Sequence, residues 1–208
     1  MIVIGITGSI GMGKSTIGAM LGTMGIDAHE SDGAVHELLQ PGRAGYLAVA
    51  AAFPYFEYPQ VFGKKDKDGR RALERGALGD LIFNNDDHRI ALEDILHPLV
   101  REAQDKFIRA QKRAGKKIAA LDIPLLFETG TEARVDYTIN VTAPPHVQKA
   151  RVLERPAMTE EKFNAILEQQ MPDEEKCAHA DYVVHTGLGR AQSMKELKTI
   201  IQDIQKKT

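Results

Sequence analysis

Gly8-Ser9-Ile10-Gly11-Met12-Gly13-Lys14-Ser15 has the spacing G-x-x-x-x-G-K-S of a phosphate-binding loop. Gly8, Gly11 and Gly13 let the backbone curl and turn its N–H groups inward. Those groups, with the positive end of a following helix, hold polyphosphate. Lys14 reaches the β- and γ-phosphates, and the Ser15 hydroxyl is placed to ligate Mg²⁺. The loop needs a buried strand before it and a helix after it. Met1–Thr7 (MIVIGIT) is a short apolar run, and Ser15–Met24 alternates apolar and small residues at helical spacing. The ligand is therefore a nucleoside triphosphate, contacted by the stretch from Gly8 through Thr16.

A triphosphate loop names a ligand and not a reaction. The chain has no guanine-reading Asn-Lys-x-Asp segment and no Ser-Gly-Gly-Gln signature of transporter ATPases. Its short length, with room for a helical insertion and a basic segment after a late strand, suits a small-molecule kinase. On the acceptor side, Asp32 falls at the end of the second expected strand, where ligands sit in a doubly wound sheet. Two readings stand side by side: its carboxylate takes or orients a hydroxyl proton, or it caps the next helix.

Other groups also carry paired readings. Arg151 and Arg155 share a helix face one turn apart. They either offset charge on a transferring phosphoryl group or pair with Glu154, Glu160 and Glu161 on a solvated surface. Asp122 follows four apolar residues, like a carboxylate that supports Mg²⁺ indirectly. Glu128 caps or binds at a strand's carboxyl end. Phe53, Tyr55, Phe56 and Tyr58 stack on an adenine or pack the insertion. Lys64, Lys65, Arg70 and Arg71 meet acceptor phosphates or lie in water. Cys177 has no catalytic partner.

Strands are expected at the amino end, over Ile26–Glu30, Ile118–Ile123, Val135–Val141 and Asp181–His185. The stripe Leu92, Ile95, Leu96, Leu99, Ala103, Phe107 marks a helix that Pro98 kinks or restarts. Helices are also expected from His146, from the Thr159 cap to about Met171, and over Gln192–Gln205. No clear strand is expected in residues 33–90. The alternation of strand and helix predicts an α/β fold with a parallel, doubly wound sheet.

The 208 residues give a net charge of −2, which lends no electrostatic support to a nucleic-acid or acidic-membrane partner. A single cysteine excludes an intrachain disulfide and fits a reducing compartment. No apolar run reaches membrane-spanning length. With strand and loop at the first residues, no signal peptide is expected and a cytoplasmic location follows.

Several pieces together resemble the dephospho-coenzyme A kinases. They are Thr7–Thr16 (TGSIGMGKST), Asp32, Ile95–Leu99 (ILHPL), Asp122–Glu128 (DIPLLFE) and Val141–Pro144 (VTAP). Arg151 through Pro156, Gln170 and Ala180-Asp181 complete the set, in unchanged order nearly end to end. The resemblance implies a three-layer P-loop kinase with core 1–32, 91–142 and 179–208, a helical acceptor-binding insertion 33–90 and a lid 143–178. It implies transfer of the γ-phosphoryl of ATP, with Mg²⁺, to the ribose 3′-hydroxyl of dephospho-coenzyme A. Asp32 and Lys14 become catalytic, Arg151 and Arg155 lid residues on ATP, and Ser15 the metal ligand. His97, Pro124, Leu125 and Glu128, with Asp32, become acceptor contacts. The partner is a small molecule, and the chain is a monomer or weak homo-oligomer. Glu30 stands where the family usually has Asp, and His36 where many members have Arg. Arginine-rich versions of 168–178 contrast with Gln169 and Cys177 here. The residues alone leave open a kinase of another small acceptor, such as a nucleoside or sugar acid, and a non-catalytic nucleotide-binding regulator.

Overall fold

The computed structural model describes all residues except Asp68, Asn84, Ala157 and Thr208. In chain order the elements begin with β1 (Ile2–Thr7), α1 (Lys14–Thr23), β2 (Ala28–Glu30), α2 (Ser31–Leu38) and α3 (Ala44–Ala52). Next come β3 (Phe62–Lys65), β4 (Arg71–Leu73), α4 (Arg75–Phe83), α5 (Asp86–Arg113), β5 (Ile118–Asp122) and β6 (Tyr137–Thr142). The chain closes with α6 (Pro145–Leu153), α7 (Glu160–Glu168), α8 (Asp173–His179), β7 (Tyr182–His185) and α9 (Arg190–Lys206). It divides into two compact units: Met1–Glu30 with the chain from Ile108 onward, and Ser31–Phe107.

The first unit is built on a parallel sheet of order β2-β5-β1-β6-β7. Every residue of β1 is buried, as a continuous apolar run in a parallel sheet should be. Parallel neighbours need crossover connections, and the helices supply them. Helix α1 buries Ile17, Met20 and Leu21, and α9 buries Leu197, Ile200, Ile201 and Ile204. These stripes join Ile4, Ile6, Ile139, Val141 and Val184 in one core. Each such side chain contributes about 1.5–3 kcal/mol by leaving water. The register sets Ile6 beside Asp122 and Thr7 beside Asn140, so the carboxyl ends of β1, β5 and β6 align.

The second unit has its own core of Leu39, Val49, Phe53, Val61, Leu73, Leu78, Leu92 and Leu96. It is not free of strands, contrary to the expectation for 33–90. β3 and β4 pair antiparallel with an irregular register. The charged turn between them is what closes the hairpin: Asp66 Oδ1 accepts the Arg70 N–H at 2.8 Å and the Asp66 N–H donates to the Arg70 carbonyl at 2.7 Å. Asp68 of that turn lies outside the described residues.

Pro98 neither restarts nor ends its helix, since α5 is continuous around it. The missing N–H costs one bond to the Asp94 carbonyl, and Asp94 and Pro98 are both exposed, so water can take that place. The helix expected to reach Met171 stops at Glu168, and a separate helix, α8, follows Pro172. Its acidic first turn and basic last turn match the helix dipole, but its seven residues are too few to show periodicity. The Thr159 cap is as expected, with its hydroxyl accepting the Lys162 N–H at 3.3 Å.

Candidate active site

The loop between β1 and α1 is shaped by close approach. A Cβ on Gly8 would stand 2.5 Å from the Val141 carbonyl oxygen. One on Gly11 would stand 2.5 Å from Val152 Cγ2 and 3.0 Å from the Gln148 carbonyl oxygen. Both positions also have positive φ, 150° and 79°, so only glycine fits without strain.

The loop's outward carbonyls are tied down from behind. Gln148 Nε2 donates to the Ile10 carbonyl at 2.8 Å, and Thr186 Oγ1 donates to the Met12 carbonyl at 2.6 Å. Arg151 donates to Thr186 Oγ1 and the Thr186 carbonyl at 2.9 and 2.8 Å, and to the Gly11 carbonyl at 3.4 Å. The Ile10 N–H donates to Gln170 Oε1 at 3.0 Å. By contrast, the start of α1 has no side-chain cap and no acidic residue in its first turn. The first N–H groups of the helix are left for an anion, with the dipole behind them.

Lys14 Nζ is 2.9 Å from Asp122 Oδ1, with only 17% and 10% of the side chains exposed. Lys14 is thus paired and largely buried. A polyphosphate, carrying more charge than one carboxylate, can draw it away. Ser15 is exposed beside it. A hydroxyl and a carboxylate are hard oxygen donors of the type Mg²⁺ takes while keeping several waters.

After β5 the chain presents Pro124, Leu125 and Glu128. The Pro124 carbonyl accepts Thr7 Oγ1 at 3.1 Å. Glu128 Oε1 accepts the Met171 N–H at 2.9 Å and pairs with Lys176 Nζ at 2.7 Å. Glu128 Oε2 is buried and lacks a hydrogen-bond partner among the described residues. Leu125 is exposed. Arg155, past the end of α6, is exposed and makes no side-chain bond among the described residues. Cys177 Sγ contacts the amide of buried Asn140 at 3.1 Å, and burial pushes its thiol pKa up, away from nucleophile character.

Within the second unit, Asp32 lies inside the first turn of α2, which starts at Ser31, so it is not the residue that caps that helix. It is exposed, and among the described residues its carboxylate makes no hydrogen bond or ion pair. One turn on, His36 Nδ1 meets Arg75 Nη1 at 3.2 Å. The donor must be the guanidinium, so the ring accepts there. His97 is half-buried on α5. Of the aromatic stretch, Phe53 is core, edge-on to Tyr58 and His88, and the Arg71 guanidinium lies over the Tyr55 ring. Phe56 is 80% exposed.

The fold therefore gathers the loop, Arg151, Asp122, Pro124 and Glu128 in one unit, and leaves Asp32 and His97 in the other. Sequence reasoning passed over Gln148, Thr186 and Lys176. Gln148 lies one helical turn before Arg151 and Val152 on a single face, which is a readable signal. Thr186 and Lys176 carry none, because each acts through a contact far away in sequence.

With this geometry in hand, comparison with known proteins is specific. The family model for dephospho-CoA kinase matches residues 2–190. A dephospho-CoA kinase of Mesorhizobium japonicum is 45% identical over 98% of this chain and 97% of its own length. One of Agrobacterium fabrum is 43% identical over 98% of each. The solved dephospho-CoA kinase of Campylobacter jejuni superimposes with a TM-score of 0.67 at 26% identity, over 98% of this chain and 97% of its own.

Proposed function

The chain belongs to the dephospho-CoA kinase family, and from that premise we infer which of its residues perform the transfer of the ATP γ-phosphoryl group to the 3′-hydroxyl of dephospho-CoA. The loop N–H groups from Gly8 to Thr16 and the Lys14 ammonium hold the β- and γ-phosphates. Lys14 exchanges its Asp122 partner for phosphate as ATP enters. Mg²⁺, held by Ser15 with Asp122 behind it, would offset charge on the phosphate oxygens. Segment 143–178 acts as the lid, with Arg155 free to approach the nucleotide and Arg151 anchoring the loop. Insertion 33–90 receives the acceptor, with His97, Pro124, Leu125 and Glu128 as further contacts.

Asp32 takes the proton of the acceptor hydroxyl. The hydroxyl oxygen bonds to the γ-phosphorus, the bond from that phosphorus to the β–γ bridging oxygen breaks, and ADP and coenzyme A leave. An exposed carboxylate with no hydrogen bond or ion pair among the described residues is available for this task. Excluding water from the closed site suppresses plain ATP hydrolysis. Acceptors of other classes lose their support to the family match.

The observation that carries the reading is the uncapped, glycine-shaped helix start beside the Lys14–Asp122 pair. The test is ADP release with ATP and dephospho-CoA, against a panel of nucleosides and sugar acids. Asp32→Asn is expected to lower kcat roughly 10²- to 10⁴-fold while ATP still binds. Parental kcat in that variant would remove Asp32 as the base.

A further inference from the structure

A fully buried lysine has no part in the chemistry described so far. Lys176, on α8, has no exposed side-chain surface. Its ammonium pairs with Glu128 Oε1 at 2.7 Å and donates to the Pro124 carbonyl at 3.3 Å. A buried charge pair costs much of what it returns, and apolar residues of similar volume do as well for stability. Packing alone therefore gives no reason for a lysine at this place.

Its two acceptors lead elsewhere. The Pro124 carbonyl also accepts the hydroxyl of Thr7, the residue before Gly8. Glu128 Oε1 also accepts the Met171 N–H. The neighbour of Met171 is Gln170, whose Oε1 accepts the Ile10 N–H. The bonds thus run from Ile10 through Gln170, Met171, Glu128, Lys176 and Pro124 back to Thr7. Thr7 and Ile10 bracket the first turn of the phosphate loop.

We propose that Lys176 is a positioning residue for phosphoryl transfer, clamping both ends of that first turn through Glu128 and Pro124. Lys176 reaches no phosphate itself. Its ammonium neutralises Glu128, which seats the 170–171 segment so that Gln170 meets the loop. This role rests on the loop being the ATP site. It also joins the lid segment to the nucleotide loop by a fixed bond rather than by loose proximity.

Three variants test it: Lys176→Met, the pair Glu128→Gln/Lys176→Met, and Gln170→Ala. Each is measured for Tm, kcat, both KM values and hydrogen exchange across residues 7–13. Lys176→Met alone strands a buried carboxylate and is expected to lower Tm by about 10 °C. The double variant removes both charges and is expected to regain most of that Tm. Its kcat is nevertheless expected to stay roughly 10²-fold below the parent, because small misplacements of a phosphate cradle are costly in the transition state. The KM for ATP should move far less, while the acceptor KM also reads the loss of the Glu128 contact, and the loop amides should exchange faster. Gln170→Ala leaves the buried pair intact. It should keep the parental Tm, lose about tenfold in kcat and expose the Ile10 amide.

If activity and exchange return with Tm in the double variant, or if Gln170→Ala is parental in both, the clamp is refuted. Should the double variant not fold, Gln170→Ala decides alone. A parent chain inactive on dephospho-CoA would overturn the functional reading instead, and the exchange data would still judge the clamp.

Discussion

The nucleotide loop of the first unit and the exposed residues of the second unit are built on opposite plans. In the first unit, the loop's carbonyls are held by Gln148, Thr186 and Arg151, and a Cβ on either of two of its glycines would come within 2.5 Å of a neighbouring atom. Its N–H groups at the helix start are left open. In the second unit, Asp32 is exposed and makes no side-chain bond among the described residues, and His36 is exposed between the Arg75 guanidinium and the Gln40 amide. Recognition of a polyphosphate is thus prebuilt in backbone, at the cost of glycine entropy. The second unit, which we propose receives the acceptor, offers exposed side chains, for which ordering costs entropy only when something binds. Preorganised backbone donors serve a ligand common to many kinases, whereas side chains set what is particular to one acceptor.

The contrast is broken most severely at Lys14. Lys14→Ala should lower kcat roughly 10³-fold, as expected for loss of a cation on the transferring phosphoryl group. It should do so with every acceptor, water included, and steady-state ADP release checks this. The variant also removes the Lys14 ammonium from Asp122, which is only 10% exposed, so Tm falls, but modestly. Retained turnover with a collapsed Tm would make Lys14 structural.

Phe53→Ala probes the other half. Phe53 is 2% exposed, in the core of the insertion, and its loss should cost about 3–5 kcal/mol. Melting followed by calorimetry should show the insertion unfolding first, with ATP affinity near parental below that transition. Equal loss of ATP affinity would end the separation of the two plans. A smaller effect separates the two arginines of the proposed lid. Arg151→Ala removes one bond to the loop at Gly11 and two to Thr186 and should lower stability by about 1–3 kcal/mol. Arg155→Ala should leave Tm alone and lower kcat about tenfold. The reverse pattern would exchange their roles.

How much of this was legible in the sequence follows the same division. The loop, the buried strands and their order were readable because backbone-built sites need glycines at fixed spacing and parallel strands need unbroken apolar runs. The hairpin at Phe62–Leu73 was not read, although Asp66 and Gly69 announce its turn, because the strands have only four and three residues. Helix α8 was hidden by its shortness. Lys176 was invisible for a deeper reason: a buried lysine and a surface lysine look alike in sequence, and only Glu128, 48 positions away, distinguishes them. Asp32 stood between two roles until the start of α2 at Ser31 removed the capping one.

The smallest predicted effect lies on the strand where the first plan gives way to the second. His29 sits in β2, the last element before the insertion begins. Burial lowers its pKa below the ordinary value of about 6.5, more than its own backbone bond and Glu30 raise it. The folded chain therefore binds fewer protons than the unfolded chain as pH drops through that region. Stability is complete above about pH 6.5 and is lost as pH falls toward the folded value. His29→Gln removes this proton uptake, so Tm from pH 7.5 to 5 should fall less in the variant than in the parent, by a few degrees at most. Identical profiles would mean that the edge strand opens too readily to bury its histidine. The boundary between the prebuilt half and the adaptable half would then begin at β2 rather than after it.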